Sequence, residues 1–584
     1  MRLALFLAQL VLAFEVAWTA CTTENPYGVY NVYCTKITSF DDVPLEFRIP
    51  SVFDLFINGS TISLKRTKSL QGIANLHIHS SDITSLEPEF FDSASSLREL
   101  KIENCTVSNI QPFPVAKLSF LRVYNSKIGA TPNKLLHNLK DLVLFTTSGN
   151  AWPSLTNFPD NFFKDLPLSV ITLENADIYS LQGLSFKTLK KLHYLELQNN
   201  QLSSLPANLF QDLSELVNLN LSHNDFRKFD EKAFKGLPVL KTLSLAHNKL
   251  GDASKTWFTP LRSLLALDLS YNNIWKCDLI LKNLTILNLS YNNFSKIASE
   301  AFVGLPKLSE LDLSHNSIQN LSLQAFKGLT ELRVLKLGHN KLQVIDGRVF
   351  GHFRSLNVLS MEYNQITNVS QAGFDSLKTL WNLDLTGNKL TRLGNIFHKI
   401  STLEELHLSN TSLVSLDSGS FQGLTRLQKL DLSQNSLRSI PGGVFQNLDS
   451  LEELNLSKVG FTKLDAATFG KLDMLLRLNL EGNALEELPL GIFDGVKLES
   501  LSLKGNLIKN ISRNVLERQT KLKEINFENT PIYDLNATDV LPNLRYLLLN
   551  GTKYESHGVV DLKSRQFHKT SRGIWESTCS FPYC

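Results

Sequence analysis

Residues Leu192–Leu202 read Leu-His-Tyr-Leu-Glu-Leu-Gln-Asn-Asn-Gln-Leu, the pattern L-x-x-L-x-L-x-x-N-x-L. Leu195 and Leu197 are two residues apart, so in an extended strand they point to one side and Glu196 to the other. The pattern starts again at Leu216, Leu240 and Leu264, then at Leu284, Leu308, Leu332, Leu356, Leu380, Leu403, Leu427, Leu451, Leu475, Leu498, Leu522 and Leu544. Weaker copies begin at Val52, Ile73, Leu97, Leu118, Leu139 and Leu168, making about 22 units. One unit cannot bury its own leucines. Stacked units share a continuous core and a parallel sheet.

Two further columns follow from the same register. The ninth position turns the chain, and its amide can bond backbone groups of adjacent turns. Asparagine fills it at Asn200, Asn224, Asn248, Asn272, Asn292, Asn316, Asn340, Asn364, Asn388, Asn435, Asn483 and Asn506. Cys105, Ser126, Thr147, Ala176, Thr411, Val459, Thr530 and Thr552 occupy it elsewhere. Phenylalanine recurs at Phe186, Phe210, Phe234 and Phe258, then from Phe302 through Phe326, Phe350, Phe374, Phe397, Phe421, Phe445 and Phe469 to Phe493. This column explains why the chain has 35 Phe against 13 Tyr, and it predicts a stacked aromatic spine on the convex side.

These residues resemble the leucine-rich repeat family over about Val52 to Tyr554, in its extracellular form with 24-residue units. Toll-like receptor ectodomains, chaoptin-like adhesion proteins and the acid-labile subunit of growth-factor complexes have that form. The resemblance implies an α/β repeat solenoid, a curved horseshoe with a parallel concave sheet. The expected organisation is a signal peptide at 1–20, an N-terminal cap at 21–51, the solenoid at 52–561 and a C-terminal cap or tail at 562–584. The family's usual caps carry four cysteines each, whereas this chain has two at each end.

Length alone suggests several ordinary domains, but a repeat array overrides that expectation. A hydrophobic share of 43% with 20% charged residues excludes a disordered chain. With 59 Lys+Arg against 56 Asp+Glu, a broad basic surface is excluded, so nucleic acid is not an expected partner.

Arg2, the apolar run Leu3–Phe14 and the small residues Ala17 and Ala20 read as a secretory signal. No later stretch is apolar for the ~18 residues a membrane span needs, and the end HKTSRGIWESTCSFPYC is not a GPI signal. Secretion is therefore expected. Disulfides are expected in that compartment, and Cys21–Cys34 with Cys579–Cys584 is the simplest pairing. Cys105 falls on the ladder and is expected as a buried free thiol. Cys277 is left open: free, or paired with another chain as a possible dimer.

Three surface features are candidates for binding. The position before the ladder reads His223, His247, Tyr271, Tyr291, His315, His339 and Tyr363 in seven successive units. Strands lie about 4.8 Å apart, so these rings are expected to line up in a stripe able to stack on sugars or grip a protein. The outward position between strand leucines supplies Asp312, Lys336 and Asp384, part of an acidic stretch suited to a basic partner. Glycosylation sequons occur at Asn58, Asn104, Asn220, Asn283, Asn288, Asn293, Asn320, Asn368, Asn410, Asn455, Asn510, Asn536 and Asn550. Glycans on Asn220, Asn288 and Asn455 would stand on the sheet itself.

No catalytic motif, zinc spacing or phosphate loop is present, and no cofactor, metal or enzymatic activity is expected. The reading is a secreted binding protein of extracellular innate immunity that recognises a protein partner or a microbial glycan or lipid. The alternative is a protein of cell adhesion, extracellular matrix or growth-factor sequestration.

Overall fold

The computed structural model describes residues 21–577 apart from 25–29, 41–42, 44–52, 68–69, 71, 115, 130–134, 150–151, 153–154, 536–537, 539, 555–558, 563–564 and 570–574. The expected signal peptide, the Cys579–Cys584 pair and the sequon at Asn536 lie outside the described residues. The chain divides into two compact units after Leu284, at the end of the short repeat that begins at Leu264.

In the first unit, strand Tyr30–Thr35 pairs in parallel with Phe53–Asn58. The ladder continues through Ile73–His79, Glu99–Glu103, Phe120–Tyr124, Leu144–Ser148 and Val170–Glu174 to the three-residue strands Tyr194–Glu196, Asn218–Asn220, Thr242–Ser244 and Ala266–Asp268. Strand Cys21–Glu24 closes its start in antiparallel pairing, and a Cys21–Cys34 disulfide joins the two.

The second unit repeats the parallel ladder from Ile286–Asn288 through Glu310–Asp312, Val334–Lys336, Val358–Ser360, Asn382–Asp384, Glu405–His407, Lys429–Asp431 and Glu453–Asn455 to Tyr546–Leu548. Antiparallel strands Trp575–Ser577, Arg565–Lys569 and Val559–Leu562 follow it. Helix is limited among the described residues to short pieces such as Glu89–Ser93, Lys255–Phe258 and Arg513–Leu516.

Register puts leucine against leucine. Leu311, Leu335, Leu359 and Leu383 are successive partners, and none exposes measurable surface. Each such side chain contributes about 2 kcal/mol of hydrophobic stabilisation relative to solvent. The asparagine column closes the turn as expected. Asn340 Nδ2 donates to the carbonyls of Leu313 (3.0 Å), Leu337 (3.1 Å) and Gly338 (3.2 Å), and its Oδ1 accepts from Ile318 N at 2.9 Å. Cys105 takes this place in its own unit, its sulfur 3.5 Å from Ile78 O and 3.2 Å from Glu103 O.

The spine forms too: Phe350–Phe374 and Phe374–Phe397 are near-parallel at 6.4 and 6.0 Å. All the recurrent phenylalanines are buried.

One unit differs from the sequence register. The repeat assigned to Leu139 starts three residues later, at Leu142. Phe145 pairs with Leu121 and Ile171, so Phe145 and Thr147 point inward, and the outward residue is Thr146 rather than Val143. Thr147 is thus a strand residue and not the ladder residue. Several leucines in that region fit the template equally, and the aromatic Phe145 at a leucine position hid the true register. Trp152, in the longer stretch that follows this strand, is buried beside Phe145 with ring centroids 6.3 Å apart.

Candidate ligand-binding surfaces

Within each unit the rings of the stripe stack on one another. In the first, His223–His247 and His247–Tyr271 stack at 4.0 Å with interplanar angles of 12° and 11°. In the second, Tyr291–His315, His315–His339 and His339–Tyr363 stack at 4.0, 4.1 and 4.6 Å.

A backbone feature aligns them. All seven residues have φ between 51 and 54°, the left-handed region that asparagine and glycine enter most easily. Their N–H groups hold this conformation by donating into the next turn, as His315 N does to Gly338 O at 3.0 Å. The side chains then rise in parallel.

This geometry corrects one expectation. His247, His315 and His339 each have a stacked neighbour on both faces, so these three present ring edges and not faces. Tyr363, at one end, lies over Gly387: a Cβ at that glycine would meet Tyr363 Cδ1 at 2.6 Å. Stacking on sugar rings is therefore unavailable to these three. What remains is a row of phenol hydroxyls and imidazole nitrogens suited to hydrogen bonding. Burial, followed by the adjoining imidazole of His223, lowers the pKa of His247 against the pull of Asp268. Burial and His339 lower that of His315 in the same way, against Asp312 and Glu362.

The outward acidic and amide residues have a structural task the sequence did not disclose. Asp312 Oδ1 accepts from Ser314 N at 2.9 Å and from its hydroxyl at 2.6 Å, and Asp384 Oδ1 accepts from Thr386 N at 2.8 Å. Asn220 and Asn288 do the same toward Ser222 and Ser290. These are local turns that end each strand. Lys336 lies 2.8 Å from Glu310 and 3.7 Å from Asp312. Burial opposes its charge, but the two carboxylates prevail and its pKa is raised. Lys336 is thus shared between Glu310 and Asp312, whereas Asp384 has no ion-pair partner among the described residues.

In the first unit the longer strands form a surface whose aromatic character the sequence reading missed. Tyr33, Phe56 and His77 share one outward row and stack at 4.8 and 4.7 Å. The next residues in that row, Lys101 and Arg122, are matched by Glu103 and Glu99. Burial, against Glu99 and Asp54, lowers the His77 pKa. The isolated aromatics sit at non-leucine positions, so periodicity gave no signal for them.

Among the sequons, Asn58, Asn104, Asn293, Asn320, Asn368, Asn410 and Asn510 are exposed, while Asn220, Asn283, Asn288, Asn455 and Asn550 are half-buried. Cys105 and Cys277 are free and buried. Burial pushes the Cys277 thiol up to about 12, so it offers no sulfur for an interchain link. Among the described residues no group of three or more His, Cys, Asp or Glu is arranged to hold a metal, and no helix is long and apolar enough to cross a membrane.

A family model described as "Leucine rich repeat" matches residues 167–226, 215–274, 282–342, 330–390, 401–458 and 450–508, more than half of the chain. No curated protein matches the sequence. Among solved structures, the chain is similar to TLR13 in a TLR13–ssRNA13 complex, with a TM-score of 0.64 and 23% identity over 84% of this chain and 81% of that one. It is also similar to glycosylated Toll in a Toll–Spatzle complex described as a hub of Drosophila development and innate immunity, with a TM-score of 0.60 and 15% identity over 90% and 94%. At these identities the likeness speaks for the fold alone.

Proposed function

The chain belongs to the leucine-rich repeat family, and from that premise we propose that it is an extracellular recognition protein that binds microbial surface molecules or a protein partner in innate immunity. The observation that supports binding is the open strand face of each unit, where outward side chains such as Lys336, Ser360 and Asp384 lie side by side on successive strands. The Cys21–Cys34 disulfide and the exposed sequons support an extracellular location. Toll-type neighbours share the fold, which fits the immune reading without naming a ligand.

Catalysis forms no part of this proposal, because no nucleophile, base and orienting group stand together in the sequence. Nucleic acid is left out on the charge balance alone; the similarity to TLR13 bound to ssRNA13 gives that omission no support. A dimer likewise gains no support.

The test is capture of whole bacteria and fungi by the purified glycosylated protein, run beside extracellular-matrix components and single-stranded RNA. Saturable capture of microbes supports recognition in defence. Selective retention on matrix components, with no microbial capture, moves the function to adhesion, and RNA binding reverses the nucleic-acid omission.

A further inference from the structure

The strand face of the second unit has an apolar centre with an acidic surround. Strands Val334–Lys336 and Val358–Ser360 are neighbours, and they place Val334 beside Val358 in one outward row. The row continues to Asn382, and Trp381, just before it, is 38% exposed. An exposed tryptophan and two half-buried valines, placed in or just before three successive strands, have the composition of an interface centre.

Carboxylates surround it. Glu310 and Asp312 share Lys336, Glu405 is matched by Lys429 and Glu453 by Arg477. Glu362, Asp384, Glu404 and Asp431 have no ion-pair partner among the described residues. Arg333 stands there as an exposed cation, and the remaining balance is negative. The sequons at Asn288 and Asn455 stand on the same face at either end of this window.

We propose that this window docks a cationic polypeptide that carries apolar side chains. The inference rests on the binding-protein reading above and names its partner class and seat. Charge complementarity selects the occupant: nucleic acid and anionic glycans meet unopposed carboxylates, whereas lysine or arginine finds partners on several strands. Asp384 and Asp431 lie two strands apart, about 9.6 Å, which an extended chain covers in about three residues. The apolar centre gives the same chain a place for side chains between its cations. Surface ion pairs are screened by salt, so this docking weakens as ionic strength rises.

The experiment uses the full glycosylated chain and a fluorescent synthetic peptide of alternating lysine and leucine, with a glutamate–leucine peptide as control. The lysine peptide binds, binding falls with added salt, and the glutamate peptide does not bind. Val358→Asn completes a sequon with Ser360 and sets a glycan on the centre of the window. That variant loses binding and regains it after enzymatic removal of the glycan, while Val358→Gln keeps it. Glu362→Gln with Glu404→Gln weakens the peptide about fivefold, as expected for two surface pairs. This pair also serves if Val358→Asn is not secreted.

Equal binding of both peptides, no binding of the lysine peptide, or full binding with a glycan confirmed at position 358 overturns the proposal. Microbial capture is measured on the same preparations. Capture without peptide binding removes this docking surface and leaves the recognition reading standing; peptide binding without capture does the reverse.

Discussion

Replacing Asn340 by alanine removes three donated bonds and leaves Ile318 N without its acceptor, all inside the core. A buried group left unpaired costs about 1–3 kcal/mol, so the variant should lose roughly 3 kcal/mol, read as a shift in the urea midpoint. Val459 shows how a turn survives without the amide: Asn483 Oδ1 of the following unit accepts from the backbone of Val459, Gly460 and Phe461. Protonation acts at the same scale. The imidazoles of His247 and His315 have pKa values lowered from 6.5 by burial and a stacked neighbour. Between that value and the lower folded one, the unfolded chain binds more protons, so stability falls as pH falls through the window. Both rings are largely solvated and the slope should be shallow. Urea midpoints at neutral pH and at about pH 5.5 should differ less in the double variant His247→Asn, His315→Gly than in the parent. An equal difference in both proteins would remove these residues from the pH dependence.

The stripe and the spine are both ring columns, yet they answer to different forces. Spine rings are buried, and Phe374→Ala should cost about 3–5 kcal/mol through lost transfer energy and a cavity that Phe350 and Phe397 cannot fill. Stripe rings are exposed, His315 half-buried among them, and stand on left-handed backbone. Asn104, Asn125, Asn175, Asn199, Asn410 and Asn529 hold the same slot with φ between 46 and 56°. Converting Tyr291, His339 and Tyr363 to asparagine together with His315 to glycine, since asparagine at 315 would complete a sequon with Ser317, should therefore leave thermal stability nearly unchanged, because easier backbone geometry offsets the lost stacking. If the edges bind ligand, capture should fall while the melting temperature holds; a collapse in stability would show that the stripe is structural. This pair of columns also marks what was legible in the sequence. Periodicity revealed which residues share a column, because spacing alone decides that. It did not reveal that His247, His315 and His339 have both faces covered, because that depends on the sign of φ. Nor did it single out Val334, Val358 and Trp381, whose positions are outward in their own strands but follow no repeating residue type.

At the scale of the whole chain, each turn touches mainly the turns before and after it, so damage should spread by neighbours and not all at once. Leu335 shows how this can be tested. It is fully buried and paired with Leu311 and Leu359. Leu335→Asp places an unpaired carboxylate where no cation or donor can reach it, a change that exceeds the tolerance of a single turn. If the full-length variant is recovered, hydrogen exchange should show lost protection in strands Glu310–Asp312, Val334–Lys336 and Val358–Ser360. Strands Glu99–Glu103 and Phe120–Tyr124 of the first unit should keep theirs, because their core of Leu100, Ile102, Leu121 and Val123 is closed by its own neighbours. Uniform loss of protection along the chain would mean that the two units unfold as one cooperative block. Local loss would mean that the division after Leu284 is also an energetic boundary, so that a ligand bound to the second unit stabilises that unit by mass action and leaves exchange in the first unchanged.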